Sequence, residues 1–293
     1  MGAEQIARVL GDQKWLDEVA TPVQEAIRKL FESAGRGGRE AKKFLHGSAL
    51  GHPLHPALVE LPVGAWTLAA IFDAIELAGG GQRGKIADQA IGVGVIGALG
   101  AALAGAADWS ETDGRAKRIG LTHGAMNVTA TGLYVLSLLL RRRSRTKGIS
   151  VGMMAFGVAM SAAFLGGHLT YGEQIGVDHT ATADQETPEK YVDVLDAKEL
   201  AENTPTRVVA EGVAVLLVKQ GEKIFALRET CTHLGGPLAE GKLEGDSIRC
   251  PWHGSRFCLT DGRVLEGPAV FPERRFDVRV RKGRIEVRAR QES

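Results

Sequence analysis

The sequence predicts two architectures in one chain: an α-helical four-helix membrane bundle, then an all-β domain built as a small antiparallel β-sandwich. Three observations carry this. The stretches 58–78, 86–107, 121–140 and 149–171 are strongly apolar, and about 20 such residues cross a bilayer as a helix. The segment Thr180–Glu189 is polar, with little to bury, and reads as a linker. From Tyr191 onward the pattern changes to short apolar runs divided by glycine and charge, the signature of strands. The 293 residues divide into an N-terminal helical segment (1–44), a four-span domain (45–175), a linker (176–190) and a β-domain (191–293).

Composition narrows the function classes. Lys and Arg number 36 against 35 Asp and Glu, a net charge of +1, so no bulk electrostatic attraction to nucleic acid is expected. Three cysteines cannot build a disulfide scaffold. Met1 to Glu18 carries Glu4, Asp12, Asp17 and Glu18 and lacks the basic start and apolar run of a secretory signal.

Residues 13–33 place Trp15, Leu16, Val19, Val23, Ile27, Leu30 and Phe31 at helical spacing, an amphipathic helix for the membrane surface or the domain beneath it. The cluster Gly35-Arg36-Gly37-Gly38-Arg39 is expected to end it. The first span follows His52-Pro53-Leu54-His55-Pro56 and stops at Gly79-Gly80-Gly81. The second is rich in Gly and Ala, a face for close helix packing. Asp108-Trp109 closes it, and 108–120 is expected to be a loop. The third span stops at Arg141-Arg142-Arg143, and the fourth ends near Tyr171. Asp73 and Asp88 are expected to pair with Arg83 or Lys85.

Four spans leave both chain ends on one side of the membrane. The opposite side carries Arg83, Lys85, Arg141, Arg142, Arg143, Arg145 and Lys147 in two short loops, which the positive-inside rule places in the cytoplasm of a bacterial cytoplasmic membrane. The β-domain is then extracytoplasmic. Arg36, Arg39, Lys42 and Lys43 argue the other way. Arg141-Arg142-Arg143-Ser144-Arg145 reads either as a loose twin-arginine export signal, which would carry a folded domain across, or as a cytoplasmic anchor.

In the β-domain, Val213–Val218 and Ile224–Leu227 are apolar runs. Phe276–Val280 and Ile285–Val287 alternate around Arg281-Lys282-Gly283-Arg284, a hairpin pattern. Between these sit Cys231-Thr232-His233 and, sixteen residues on, Cys250-Pro251-Trp252-His253. Two Cys and two His in close pairs are generic zinc ligands. Cys258, in an alternating apolar run, reads as a small core residue.

The stretches Cys231–Pro237 and Cys250–Phe257, with Asp261-Gly262 and Gly267-Pro268-Ala269, resemble a Rieske [2Fe–2S] domain over roughly residues 190–290. The resemblance implies a [2Fe–2S] cluster with Cys231 and Cys250 on the inner iron and His233 and His253 on the outer iron. Two neutral imidazoles in place of two thiolates lift the potential above that of all-cysteine ferredoxins. Rieske proteins of cytochrome bc complexes carry an extra cysteine in each cluster loop. Here Gly236 (or Gly235) and Trp252 stand there, so no loop disulfide is possible. Ser255 matches the serine that donates to a cluster sulfur, but Phe257 replaces the tyrosine, which implies a potential between the ferredoxin and bc extremes. Pro268 falls on a third, shielding loop. No second soluble domain for mononuclear iron follows, so a self-contained oxygenase is not expected.

The membrane half, through His52-Pro53-Leu54-His55-Pro56, Pro62 and Gly166-Gly167-His168, looks like a bacterial family of uncharacterised four-span proteins. His52, His55, Glu60, His123 and His168 fall toward one end of the bundle. They are readable as haem b ligands, as a quinol pocket or as structural groups. The expected function is membrane-anchored electron transfer, with a redox partner protein or quinol. The alternatives are a ferredoxin-type donor docked to a separate membrane oxygenase or desaturase, and a redox sensor. The oligomeric state has no signature in the sequence.

Overall fold

The computed structural model describes residues 3–80, 84–181 and 187–290. Two compact units result: Met1–Leu45 with Pro53–Ile175, and His46–His52 with Gly176–Ser293. Gly81, Arg83 and residues 182–186 of the expected linker lie outside the described residues.

The first unit is helical: α1 (Ala3–Gly11), α2 (Asp17–Ser33), α3 (Gly35–His46), α4 (Leu54–Leu77), α5 (Gly84–Trp109), α6 (Gly114–Arg141) and α7 (Arg145–Tyr171). Helices α4 to α7 are long and apolar enough to cross a membrane. Helix α6 starts well before residue 121, where a loop was expected. Its first turns are polar because they face a partner: Arg115 pairs with Asp12, Arg118 with Asp17 at 2.6 Å, and Lys117 with Asp17 at 3.1 Å. Hydrogen bonds from Arg118 and then Lys117 hold the Asp17 carboxyl down at about 2.

Helix α2 packs by its polar face. Gln24 donates to the carbonyls of Trp109 (2.7 Å) and Thr112 (3.0 Å), and Arg28 donates to that of Ser110 (2.8 Å). These carbonyls, at and beyond the end of α5, lack helical partners, so side-chain donors satisfy them. Trp15, Val19, Val23 and Leu30 remain exposed, the face an interfacial helix presents to lipid. The glycine cluster ends α2 as expected: the helix stops at Ser33, Gly35 takes a left-handed φ of +57°, and the chain resumes at once as a separate helix, α3.

In the bundle, α4 packs along α5 and α6 along α7. Asp73 pairs with Arg141 and not with Lys85, and both side chains of that pair are 2% exposed; the expected alternative Arg83 lies outside the described residues. Arg141 also reaches Asp88 (2.9 Å), and Arg145 bridges Asp88 (2.7 Å) and Glu76 (3.0 Å). A carboxylate inside the bundle needs a cation that enters with it, and Arg141 folds in from the end of α6. Lys85 is exposed.

The second unit is antiparallel β in three sheets. One orders β1 (Val192–Asp196), β10 (Arg284–Ala289) and β9 (Phe276–Arg281); another β2 (Thr206–Ala210), β3 (Val213–Gln220) and β4 (Lys223–Arg228). The third orders β5 (Lys242–Glu244), β6 (Ser247–Arg249), β7 (Arg256–Cys258) and β8 (Val264–Glu266). Strand β3 is apolar from Val213 to Val218 because both its faces are covered there. Val215 and Leu217 enter one core with Phe276 and Ile285, and Leu216 and Val218 enter the other with Cys231, Cys250 and Phe257. The β9–β10 hairpin turns at Lys282 and Gly283, both at positive φ, as its pattern predicts. Cys258 is buried. Residues 46–52, expected with the spans, join this unit: Ser48 Oγ donates to the Ala269 carbonyl at 3.2 Å.

Candidate metal centre

Two loops of the β-unit carry the four soft donors: Cys231–Pro237 beyond β4, and Cys250–Ser255 between β6 and β7. The loops close in the same way. Cys231 N–H donates to the Gly236 carbonyl (2.8 Å) and Gly235 N–H returns to the Cys231 carbonyl (2.9 Å). Cys250 N–H donates to the Ser255 carbonyl (2.8 Å) and Gly254 N–H returns to the Cys250 carbonyl (3.2 Å). Gly235 and Gly254 both lie at left-handed φ, +77° and +75°, which glycine adopts without strain.

This closure presents each cysteine and histidine to the same side. The His233 and His253 rings meet edge to face with centroids 5.0 Å apart. The two sulfurs are within hydrogen-bonding reach of one another. That bond pulls Cys250 down to about 6, helped by the N–H groups of Trp252 and His253, and pushes Cys231 up together with burial. Burial, then the neighbouring imidazoles of His253, His46 and His179, holds His233 down at about 3, so the ring is neutral and a competent ligand.

Two features fit a bridging inorganic group. His233 Nδ1 is buried and has no hydrogen-bond partner. A Cβ on Gly236 would fall 2.8 Å from Cys250 Sγ, so glycine keeps that flank of the sulfur open. A single zinc ion fits less well: among the described residues no three His, Cys, Asp or Glu side chains converge on one ion position.

A third loop follows β8. Ala269 N–H donates to Ser255 Oγ at 3.0 Å, tying Pro268 and its neighbours to the second cysteine loop. Glu273, 2% exposed, accepts the Thr232 N–H at 2.8 Å, and burial pushes its carboxyl well above the ordinary range. Neither Glu273 nor the approach of His46 and His179 to His233 has a signal in the sequence, because those partners come from distant segments. Trp252 lies beside His253 and is 57% exposed.

Of the five polar residues expected together in the bundle, two meet. The His55 and His123 rings stand perpendicular, centroids 6.4 Å apart. His168 turns to Glu173 (3.7 Å), Glu60 is exposed on α4, and His52 belongs to the other unit.

Two thiols and two imidazoles on twin hydrogen-bonded loops of a three-sheet β-domain define an iron–sulfur protein of the two-histidine kind. Residues 190–279 match the Rieske [2Fe-2S] domain, and residues 51–184 match a second family described as "Predicted membrane protein (DUF2231)". The chain belongs to the Rieske [2Fe–2S] family, with a DUF2231 membrane region in the same polypeptide. Ferredoxin CarAc of Metapseudomonas resinovorans is 36% identical over 98 residues, 33% of this chain and 92% of that protein. The ferredoxin component of the naphthalene 1,2-dioxygenase system of Pseudomonas aeruginosa is 30% identical over 99 residues, 34% of this chain and 95% of that protein. Apoptosis-inducing factor 3 of Homo sapiens is 36% identical over 111 residues, but the match spans only 18% of its length. Among solved structures, the ferredoxin of carbazole 1,9a-dioxygenase from Nocardioides aromaticivorans IC177 is 29% identical and covers 34% of this chain and 99% of that one, at a TM-score of 0.33.

Proposed function

We propose that the chain is a membrane-anchored, ferredoxin-type one-electron carrier whose [2Fe–2S] cluster is held by Cys231, His233, Cys250 and His253. The twin closure of the two loops carries this reading, because it sets a thiol and an imidazole from each loop on one face. The cluster supplies one-electron redox chemistry. Cys231 and Cys250, both buried, hold the inner iron, and His233 and His253 hold the outer one. Ser255 accepts the Ala269 N–H, which leaves its hydroxyl hydrogen available to a cluster sulfur. The loop of Pro268 shields the cluster from water. Exposed Trp252 beside His253 marks the face where a partner takes the electron.

The curated relatives support a partner of the oxygenase class, since two are ferredoxin components of dioxygenase systems. The positive-inside rule supports an extracytoplasmic cluster, with Lys85, Arg142, Arg143 and Lys147 in the cytoplasm. Protease access to the β-domain in spheroplasts against inverted vesicles reads that placement directly.

Electron paramagnetic resonance of the dithionite-reduced full chain tests the ligand set. A Rieske signal is expected in the parent and lost in His233→Ala and His253→Ala, with the spans still inserted. An unchanged signal in either variant overturns the assignment. Stopped-flow oxidation of the reduced chain by an oxygenase component is expected to outpace oxidation by a quinone. The reverse order would make quinol the partner.

A further inference from the structure

The two hairpins of the bundle carry a few matched residues. Aligning α4 and α6 on His55 and His123 places Gly64 opposite Gly132, Trp66 opposite Tyr134 and Asp73 opposite Arg141. Helices α5 and α7 align through Ala101 and Ala162, and through Gly105 and Gly166. Equivalent residues also meet in space. His55 and His123 stand 6.4 Å apart, Trp66 and Tyr134 stack at 4.4 Å, and Asp73 pairs with Arg141. Residues of α4 and α6 therefore meet in three paired layers.

The two histidines of the first layer are anchored alike at Nδ1. His55 Nδ1 lies 2.8 Å from the Ala101 carbonyl, and His123 Nδ1 lies 2.8 Å from the Ala162 carbonyl. A carbonyl only accepts, so each Nδ1 carries a hydrogen, and Nε2 is the nitrogen left to bind a metal. A Cβ on Gly105 would fall 2.8 Å from the His55 ring, and one on Gly166 3.0 Å from His123. Imidazoles with one nitrogen anchored to a backbone carbonyl and the other left as a donor have the posture of metal ligands.

We propose that His55 and His123 are the axial ligands of a haem in the core of this bundle. The inference adds a second redox centre to the electron-carrier reading and stands on separate residues. Two imidazoles cannot saturate a free ion, and among the described residues no third His, Cys, Asp or Glu joins them. A porphyrin brings four nitrogens of its own and asks for two. Two metal–imidazole bonds of about 2.0–2.1 Å each, plus the half-widths of the rings, fill the 6.4 Å between centroids. The next layer, Trp66 with Tyr134, lies eleven residues on, about 16 Å deeper at 1.5 Å per residue. In that interval the buried positions of the four helices include Ala101, Ala104, Ala130, Ala159 and Ala162. The Asn127 amide lies 3.2 Å from His123 Nε2 and donates at 2.9 Å to the His123 carbonyl; iron would displace only the first contact. Ferric haem gains one electron on reduction, the number a reduced [2Fe–2S] cluster loses on oxidation.

The test uses the full chain, expressed with δ-aminolevulinate to supply haem and purified in mild detergent. Stoichiometric haem is expected, with a sharp Soret band and b-type bands on dithionite reduction. His55→Ala and His123→Ala are each expected to lose the haem and keep the cluster's paramagnetic signal, and His168→Ala to keep both. Should the alanine variants fail to insert, His55→Met and His123→Met substitute an alternative iron ligand. They are expected to retain haem with shifted bands and an altered midpoint, which a purely structural histidine would not produce. Haem absent from parent protein that carries its cluster overturns the proposal, as do unaltered bands in the His55 and His123 variants. Haem present without a Rieske signal would overturn the electron-carrier reading and leave this one standing.

Discussion

Ser255 shows how a single hydroxyl sets the chemistry of the cluster loops. Its oxygen already accepts the Ala269 N–H, so its hydrogen is the part left to give, and the Phe257 side chain next to it in the loop pattern offers none. A hydrogen bond to a charged group is worth about 1.5–3 kcal/mol. At about 59 mV per tenfold for one electron, Ser255→Ala should lower the midpoint potential by about 65–130 mV, as read by spectroelectrochemical titration. Gly236 answers to geometry alone: Gly236→Ala places a methyl 2.8 Å from Cys250 Sγ, and purified protein should lose its iron and visible absorption. Glu273 works as an acceptor. Glu273→Gln keeps an oxygen for the Thr232 N–H, while Glu273→Ala leaves that buried N–H unpaired, at a cost of about 1–3 kcal/mol. Thermal unfolding of the β-unit should therefore shift in the alanine variant and barely move in the glutamine one. The cysteines and histidines were legible in the sequence because each pair lies within a few residues, the reach of one loop. Glu273 was not, because Thr232 is 41 residues away and only the fold joins them.

Among the elements, the two cysteine loops and the N-terminal helices show what pattern alone conveys. The loops were readable because glycine follows each histidine pair where a left-handed residue is needed. Helix α2 was readable as amphipathic, but its apolar stripe does not seek the bundle. Gln24, Arg28 and Asp17 do, because the turn beyond α5 and the start of α6 offer carbonyl acceptors and cations. This clamp has a pH signature. The Asp17 carboxyl titrates at about 2 in the folded chain, below its ordinary 3.8. A depressed carboxylate contributes stability that is fully present above its unfolded value and lost as pH falls through the folded one. The clamp should therefore hold at pH 5 and loosen between about pH 4 and 2, as followed by hydrogen exchange of α2 in detergent. Asp17→Asn should show the loosened exchange at neutral pH.

At the scale of the whole molecule, the bundle rests on the three paired layers between α4 and α6, the last of them a buried ion pair. Arg141 and Asp73 are each 2% exposed. Removing one partner of a buried ion pair costs about 3–5 kcal/mol, because the other charge stays behind. Arg141→Ala should sharply lower the unfolding temperature in detergent while the Rieske signal of the surviving folded protein is unchanged. Hydropathy treats spans as interchangeable, so the pairing of α4 with α6 emerges only when the helices are aligned on His55 and His123. The alignment was present in the residues all along; what gave it meaning was that equivalent side chains touch. By itself the sequence determined the two architectures, the number of the spans, and the cluster motif. These follow from hydropathy and from spacing within one loop, which are local quantities. Only the tertiary structure decided that Asp73 answers to Arg141, that His55 meets His123 while His168 turns to Glu173, and that Glu273 sits under the first cysteine loop. Those are contacts between segments far apart in the chain, and burial decides them: a polar group removed from water keeps whichever partner the packing brings within reach.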